Sequence, residues 1–154
     1  MVVKLLLAFL LGLSVYASYT DIRSRKISNL TVLAVFIFSL TISYLTSVLN
    51  ESWIVASKIL LVGFVLSCFG VIAAGDIKLL TAYSLAINPE FILLVLIMIG
   101  LIGGLIALFY LIKYFLKGRN PDTLMRGIPY GVPISLSCGL GIVLTVLSSP
   151  MTFG

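Results

Sequence analysis

The stretch FILLVLIMIGLIGGLIALFYLIKYFL, residues Phe91–Leu116, contains a single charged side chain, Lys113. A helix needs about 20 mostly apolar residues to cross the hydrocarbon of a bilayer, and this stretch is long enough. Four further apolar runs have a similar character: Val2–Thr20, Leu30–Leu49, Trp53–Ala74 and Tyr130–Ser149. Hydrophobic residues make up 61% of the 154-residue chain and charged residues only 10%, a balance that soluble domains do not have. We therefore predict an all-α, polytopic membrane protein.

The same composition excludes several classes of function. The chain has no histidine, and its two cysteines, Cys68 and Cys138, each lie inside an apolar run. A zinc site needs four ligands at close spacing, so we predict no metal and no cofactor. The formal charge is +5, but no basic run is long enough to predict nucleic-acid binding. We expect one membrane-embedded domain over residues 1–154.

A sixth and shorter apolar segment, Ile77–Ile87, decides the predicted topology. It ends at Asn88-Pro89, a pair that stops helices. If all six segments cross the membrane, eight basic residues share one side: Arg23, Arg25, Lys26, Lys78, Lys113, Lys117, Arg119 and Arg126. The positive-inside rule places that side in the cytoplasm. We therefore predict a bundle of six transmembrane helices in the cytoplasmic (inner) membrane, with the N-terminus outside and the first run retained rather than cleaved as a signal peptide.

Two aspartates lie at one predicted membrane depth. In this topology Asp21 closes the first span and Asp76 closes the third, both at the cytoplasmic face. Two carboxylates held close together cannot both ionise, so one keeps a proton while the other acts as a base. The base takes a proton from water as the water attacks a peptide carbonyl, and the acid hydrogen-bonds the carbonyl oxygen. The pair therefore predicts aspartic protease chemistry.

Each aspartate also has a structural interpretation. Asp76 follows Gly75 and could cap the next helix, and Asp21 could balance the charges of Arg23 and Arg25. Ionisable residues at membrane depth usually serve function, which favours the catalytic interpretation of the pair. Two other classes of function remain open, a small ion or proton carrier and a structural subunit of a pilus or secretion complex.

Glycines recur in the last two long runs. Gly100 and Gly104 form a GxxxG pair with Gly103 beside them, and Gly139 and Gly141 lie in the final run. Small residues let helix backbones approach closely in membranes. We therefore expect all five glycines to lie at contacts between helices.

Three segments resemble motifs of one known family. They are TDIRSRKISN at Thr20–Asn29, AAGDIKLL at Ala73–Leu80 and IPYGVPISL at Ile128–Leu136. In this order they resemble the type IV prepilin peptidases, membrane aspartic proteases with a first aspartate, a GxGDxK motif and a late Pro-aromatic-Gly motif. Ala73 stands where the first glycine of GxGD usually lies.

The resemblance implies a catalytic pair, a substrate and a set of supporting residues. Asp21 and Asp76 correspond to the catalytic aspartates. Four residues correspond to supporting or substrate-binding positions: Gly75, Lys78, Pro129 and Gly131. The implied reaction removes a short basic leader peptide from prepilin or pseudopilin precursors at the cytoplasmic face of the bilayer.

Larger members of that family also carry a cytoplasmic domain with zinc-binding cysteines, linked to N-methylation of the product. No segment of this sequence corresponds to that domain. The chain therefore looks most like the short, peptidase-only branch found with Flp/Tad-type pilus systems. The resemblance leaves open both the oligomeric state and the choice between bacterial pilin and archaeal flagellin-type substrates.

Overall fold

The computed structural model describes residues 2–116 and 129–149. These ranges form helices and contain no strand, so the predicted all-α class is confirmed for them. The helices are α1 Val2–Ser24, α2 Asn29–Leu45, α3 Leu49–Cys68, α4 Ala74–Ser84, α5 Pro89–Leu116 and α6 Gly131–Ser148. Three of the basic residues used to predict the topology, Lys117, Arg119 and Arg126, lie outside the described residues.

Four of these helices are long and apolar enough to cross a membrane: α1, α3, α5 and α6. Helix α2 is apolar but shorter, and α4 has only 11 residues. At a rise of 1.5 Å per residue, α4 covers about 17 Å, roughly half of the hydrocarbon thickness. The structure thus has the helices of a multi-pass membrane protein, while six crossings stay a prediction.

Two turns interrupt the apolar runs at places that hydropathy did not indicate. Within the predicted run Leu30–Leu49 the helix ends at Leu45. Two residues later, Ser47 has a left-handed backbone conformation with φ of 60°. The predicted run Trp53–Ala74 ends as helix at Cys68, and Gly70 follows with φ of 71°. Glycine adopts this conformation without steric cost, which explains why the chain turns there.

Helix α4 forms part of a ring of four helices. It packs against α2, α3 and α6, while α1 packs against α2 and α6. Helices α1, α2, α4 and α6 therefore form a ring in which α1 and α4 face each other across a diagonal. Helix α3 covers the outside of α4, and α5 covers α6.

The apolar side chains divide into a core and an outer surface. Tyr83, Leu79 and Ile142 are fully buried at the centre of the ring. By contrast, α5 buries only Val95 and Gly103 and exposes large apolar side chains along most of its length. An apolar surface of this extent suits lipid rather than water.

The glycines of α6 make the close contacts that the sequence predicted. A Cβ atom added at Gly139 would lie 3.3 Å from Leu11 of α1, and one at Gly141 would lie 2.5 Å from Val95 of α5. Larger side chains would therefore push α6 away from both neighbours.

The prediction for the GxxxG pair in α5 is wrong in the part of the chain that the structure describes. A Cβ atom added at Gly100 or Gly104 would meet no atom within 4 Å. For Gly103 the prediction is confirmed, because its Cβ position lies 3.1 Å from the ring of Tyr130. The apolar surface that carries the pair faces outward.

Candidate active site

The carboxylate of Asp21 accepts a hydrogen bond from the first residue of α6. Asp21 lies in the last turn of α1 and is 6% exposed. The backbone N–H of Gly131 donates to its Oδ2 atom over 2.8 Å. The first N–H groups of a helix have no partner within the helix and carry partial positive charge, and a carboxylate is a strong acceptor for them. The late motif and the first aspartate, 110 positions apart, therefore meet.

The glycine at position 131 is required by space. A Cβ atom there would lie 2.8 Å from Oδ2, 2.9 Å from Cγ and 3.0 Å from Cβ of Asp21. Any side chain would have to displace either the carboxylate or the start of α6. Pro129 precedes Gly131 by two residues in the sequence and is also buried. Of the predicted supporting residues, Gly131 thus lies directly against Asp21.

The second aspartate, Asp76, lies in the first turn of α4 and is 8% exposed. The N-cap of this helix is Ala73, and no side chain makes the cap hydrogen bond. The interpretation of Asp76 as a helix cap is therefore wrong. Its position in the first turn still places it near the positive end of the helix dipole.

A buried hydrogen bond establishes how α1 and α4 align. The side-chain oxygens of Ser14 and Tyr83 lie 2.7 Å apart. Asp21 follows Ser14 by seven residues, and Asp76 precedes Tyr83 by seven. Seven residues are about two helical turns, so each aspartate lies about 10.5 Å along its own helix on nearly the same face.

The two aspartates lie near each other at one end of this alignment. Helix α6 runs opposite to α1, because Gly131 contacts Asp21 and Gly139 lies against Leu11. It runs in the same direction as α4, because Thr145 near its end bonds the backbone just after α4. Helices α1 and α4 therefore run in opposite directions past the Ser14–Tyr83 contact. If they ran in parallel, the carboxylates would be separated by about four turns, or 21 Å. We call Asp21 and Asp76 the aspartate pair.

The environment of Asp76 raises the pKa of its carboxyl group. Asp76 lies outside the four helices that are long enough to cross a membrane. Burial raises the pKa of its carboxyl group from 3.8 to about 6, and the negative charge of Asp21 contributes to the increase. Burial disfavours a charged carboxylate, and a nearby like charge disfavours it further. The two carboxyl groups are therefore electrostatically coupled.

The basic residues after Asp21 do not form an ion pair with it in the described structure. Arg23 donates a hydrogen bond to a tyrosine on its own helix. The Nη2 atom of Arg25 donates to the hydroxyl of Tyr110 over 3.1 Å, and its guanidinium lies 5.4 Å from that ring's centroid. The hydrogen-bond partner of Asp21 is Gly131 instead. Simple charge balance therefore does not explain why Asp21 is buried.

The two remaining predicted site residues differ in their placement. Gly75 directly precedes Asp76, and a Cβ atom added there would meet no atom of the described residues within 4 Å. Residues 2–116 and 129–149 thus leave open space beside the backbone next to the second aspartate. Lys78 is exposed and contributes a positive charge near the start of α4.

Metal ligands do not cluster in the described ranges, where no group of three or more His, Cys, Asp or Glu residues comes together. Cys68 is exposed and Cys138 is buried, and both are free thiols.

Sequence reasoning missed Tyr83, Ser14 and Tyr110. The equal seven-residue spacing from Ser14 to Asp21 and from Asp76 to Tyr83 was the available signal for the first two. It becomes meaningful only once α1 and α4 are known to face each other. No sequence signal connected Tyr110 with Arg25.

The family model described as the type IV leader peptidase family matches residues 8–108. The matched region contains both aspartates and the segments Thr20–Asn29 and Ala73–Leu80, whereas Gly131 lies beyond it. No curated protein sequence and no solved structure matches the chain significantly.

Proposed function

Since this chain belongs to the type IV leader peptidase family, we propose that it is a membrane aspartic endopeptidase. Its substrates are prepilin or pseudopilin precursors of the Flp type, from which it removes a short basic leader peptide. The observation that carries the proposal is the aspartate pair itself. Two mostly buried carboxylates from opposite corners of the helix ring lie at the same end of the bundle and interact electrostatically.

The different surroundings of the two aspartates support different roles. The carboxylate of Asp21 accepts the Gly131 N–H at the start of α6, and this hydrogen bond stabilises negative charge on it. Among the described residues no such donor bonds Asp76, and burial raises its pKa to about 6, so it holds a proton to higher pH than an ordinary aspartate does. We therefore assign Asp21 as the base and Asp76 as the acid.

The proposed reaction follows the chemistry of a carboxylate pair. Ionised Asp21 takes a proton from water as the water oxygen bonds to the scissile carbonyl carbon. Protonated Asp76 donates its proton to the carbonyl oxygen, which yields a neutral tetrahedral intermediate. Asp21 then passes its proton to the leaving nitrogen, and Asp76 recovers a proton from a hydroxyl of the intermediate as the carbon–nitrogen bond breaks. The products are a leader with a free carboxyl group and a mature protein with a free amine.

The proposed topology places this pair at the cytoplasmic face of the inner membrane. The pair shares its end of the bundle with Arg23, Arg25 and Lys78, and positive residues favour the cytoplasmic side. The short α4 is compatible with a crossing, because α2, α3 and α6 surround it. Irregular or short elements are tolerated at membrane depth where protein rather than lipid covers them.

The open space beside Gly75 supports an approach by the substrate backbone. A precursor anchored by one apolar helix would present the junction of its leader at the membrane interface. The cleavable bond and the aspartate pair would then lie at one depth.

The test is cleavage by the purified protein in lipid nanodiscs, with candidate precursors and mass analysis of the products. Asp21→Asn and Asp76→Asn should each abolish cleavage while the protein remains folded and abundant. Asparagine keeps the size of the side chain but cannot act as base and acid in turn. The double variant should be no worse than either single variant, because the two groups act as one unit.

Glu90→Gln is the matched control. It makes the same carboxyl-to-amide change at an exposed residue in the first turn of α5, and it should leave cleavage unchanged. Substantial turnover by either aspartate variant would refute the catalytic pair. Proton flux into liposomes that depends on Asp76 would then favour a carrier instead.

A further inference from the structure

We propose that Tyr83 is a positioning residue whose hydrogen bond to Ser14 sets the alignment of α1 with α4, and through it the separation of the aspartate pair. Tyr83 is fully buried in α4, and its hydroxyl oxygen lies 2.7 Å from Oγ of Ser14. Ser14 uses its own proton to bond the carbonyl oxygen of Leu10 over 2.9 Å. Ser14 therefore accepts, and the Tyr83 hydroxyl donates.

This hydrogen bond crosses the diagonal of the helix ring. Helices α1 and α4 are each held by α2 and α6 and do not pack along each other. Among the described residues, the Ser14–Tyr83 hydrogen bond is the only one between two side chains that joins α1 to α4. Apolar packing against α2 and α6 resists separation of the helices, but it resists sliding less specifically than a directional bond does.

Ser14 lies on the same face of α1 as Asp21, and Tyr83 lies on the same face of α4 as Asp76. Ser14 and Asp21 are about two turns apart on α1, as are Tyr83 and Asp76 on α4. Because a helix is stiff over two turns, a slide of α1 against α4 at Tyr83 would displace Asp21 from Asp76 by a similar distance. A misplacement of about 1 Å costs on the order of 100-fold in rate where reacting groups must be held in geometry.

A purely structural role for Tyr83 would have different consequences. A buried hydroxyl is costly when it has no partner, but replacing both partners with apolar groups can be nearly neutral for stability. The double variant Ser14→Ala, Tyr83→Phe should then recover both stability and activity. If the bond sets the alignment, the double variant should regain stability but not turnover.

The first experiment rests on the proposed peptidase function and measures precursor cleavage by Tyr83→Phe and Ser14→Ala. We expect kcat to fall by about 10- to 100-fold, while KM stays within about twofold, because neither residue contacts substrate. Ser14→Thr keeps the hydroxyl and should retain most of kcat. The control Tyr44→Phe removes a hydroxyl from an exposed tyrosine and should behave as wild type.

The second experiment reports the alignment without activity. The variant Asp21→Cys, Asp76→Cys, with Cys68→Ala and Cys138→Ala, is treated with a short bifunctional thiol reagent. We expect efficient cross-linking, and a several-fold lower yield when Tyr83→Phe is added but not when Tyr44→Phe is added.

The two experiments separate failure of this inference from failure of the proposed function. Unchanged cross-linking and unchanged kcat in Tyr83→Phe would overturn the positioning role, even while Asp21→Asn remained inactive and the peptidase function stood. If the wild type cleaved no precursor, the peptidase function would fail. A loss of cross-linking in Tyr83→Phe would still support the role of Tyr83 in aligning the two helices.

Discussion

Replacement of Gly131 by alanine tests the geometry at Asp21 with a single methyl group. The added Cβ atom would lie 2.8 Å from Oδ2 of Asp21, about 0.6 Å closer than the 3.4 Å at which ordinary van der Waals contact begins. It would also lie 2.9 Å from Cγ and 3.0 Å from Cβ. Since three atoms of one short side chain are affected, rotation of the carboxylate alone cannot relieve the overlap. Either α6 shifts at its N-terminus or Asp21 moves.

The expected loss follows from the hydrogen bond that this movement breaks. The Gly131 N–H donates to Oδ2 over 2.8 Å, and hydrogen bonds to charged groups contribute about 1.5–3 kcal/mol. If the full amount is lost from the transition state, the rate falls by about 10- to 150-fold. Overpacking can also lower the free energy of unfolding by about 1–3 kcal/mol, so thermal stability must be measured alongside.

The assay is the initial rate of precursor cleavage in nanodiscs, with kcat and KM determined separately. We expect the loss in kcat, because the contact positions a catalytic group and leaves the substrate surface unchanged. Gly100→Ala is the matched control, because its Cβ atom would meet nothing within 4 Å, and it should keep wild-type activity. Activity of Gly131→Ala within about twofold of wild type would refute the assigned role of this contact.

Two further predictions concern the second aspartate. A hydrophobic carbodiimide, which reacts with protonated carboxyl groups, should label Asp76 below pH 6 and lose reactivity as the pH rises through about 6, because the raised pKa keeps the proton on the buried carboxyl up to that pH. Asp21→Asn removes the like charge and should shift the midpoint downward, whereas an unshifted midpoint would contradict coupling of the pair. Gly75→Leu fills the open space beside Asp76 and should raise KM several-fold. The protein should stay folded, since a side chain there meets no described atom near its Cβ. An unchanged KM would show that substrate does not pass this position.

The helices of this protein could be predicted from sequence because their cause is local. In a bilayer each backbone N–H and C=O must be satisfied within its own segment, so a long apolar run such as Phe91–Leu116 has to be helical. The break between α4 and α5 followed from the helix-stopping pair Asn88-Pro89. The two aspartates were also visible, because a carboxylate at the end of an apolar run is costly and thus conspicuous.

Tertiary structure alone decided which surfaces of these helices meet. Lipid and protein interior are both apolar, so hydropathy does not distinguish the exposed Gly100–Gly104 surface from the tightly packed Gly139 and Gly141. The contact of Gly131 with Asp21 depends on α6 packing beside α1, and no local preference connects residues 110 positions apart. The proximity of the aspartates likewise depends on α1 and α4 facing each other in opposite directions within the ring, an arrangement that the packing of all the helices determines together.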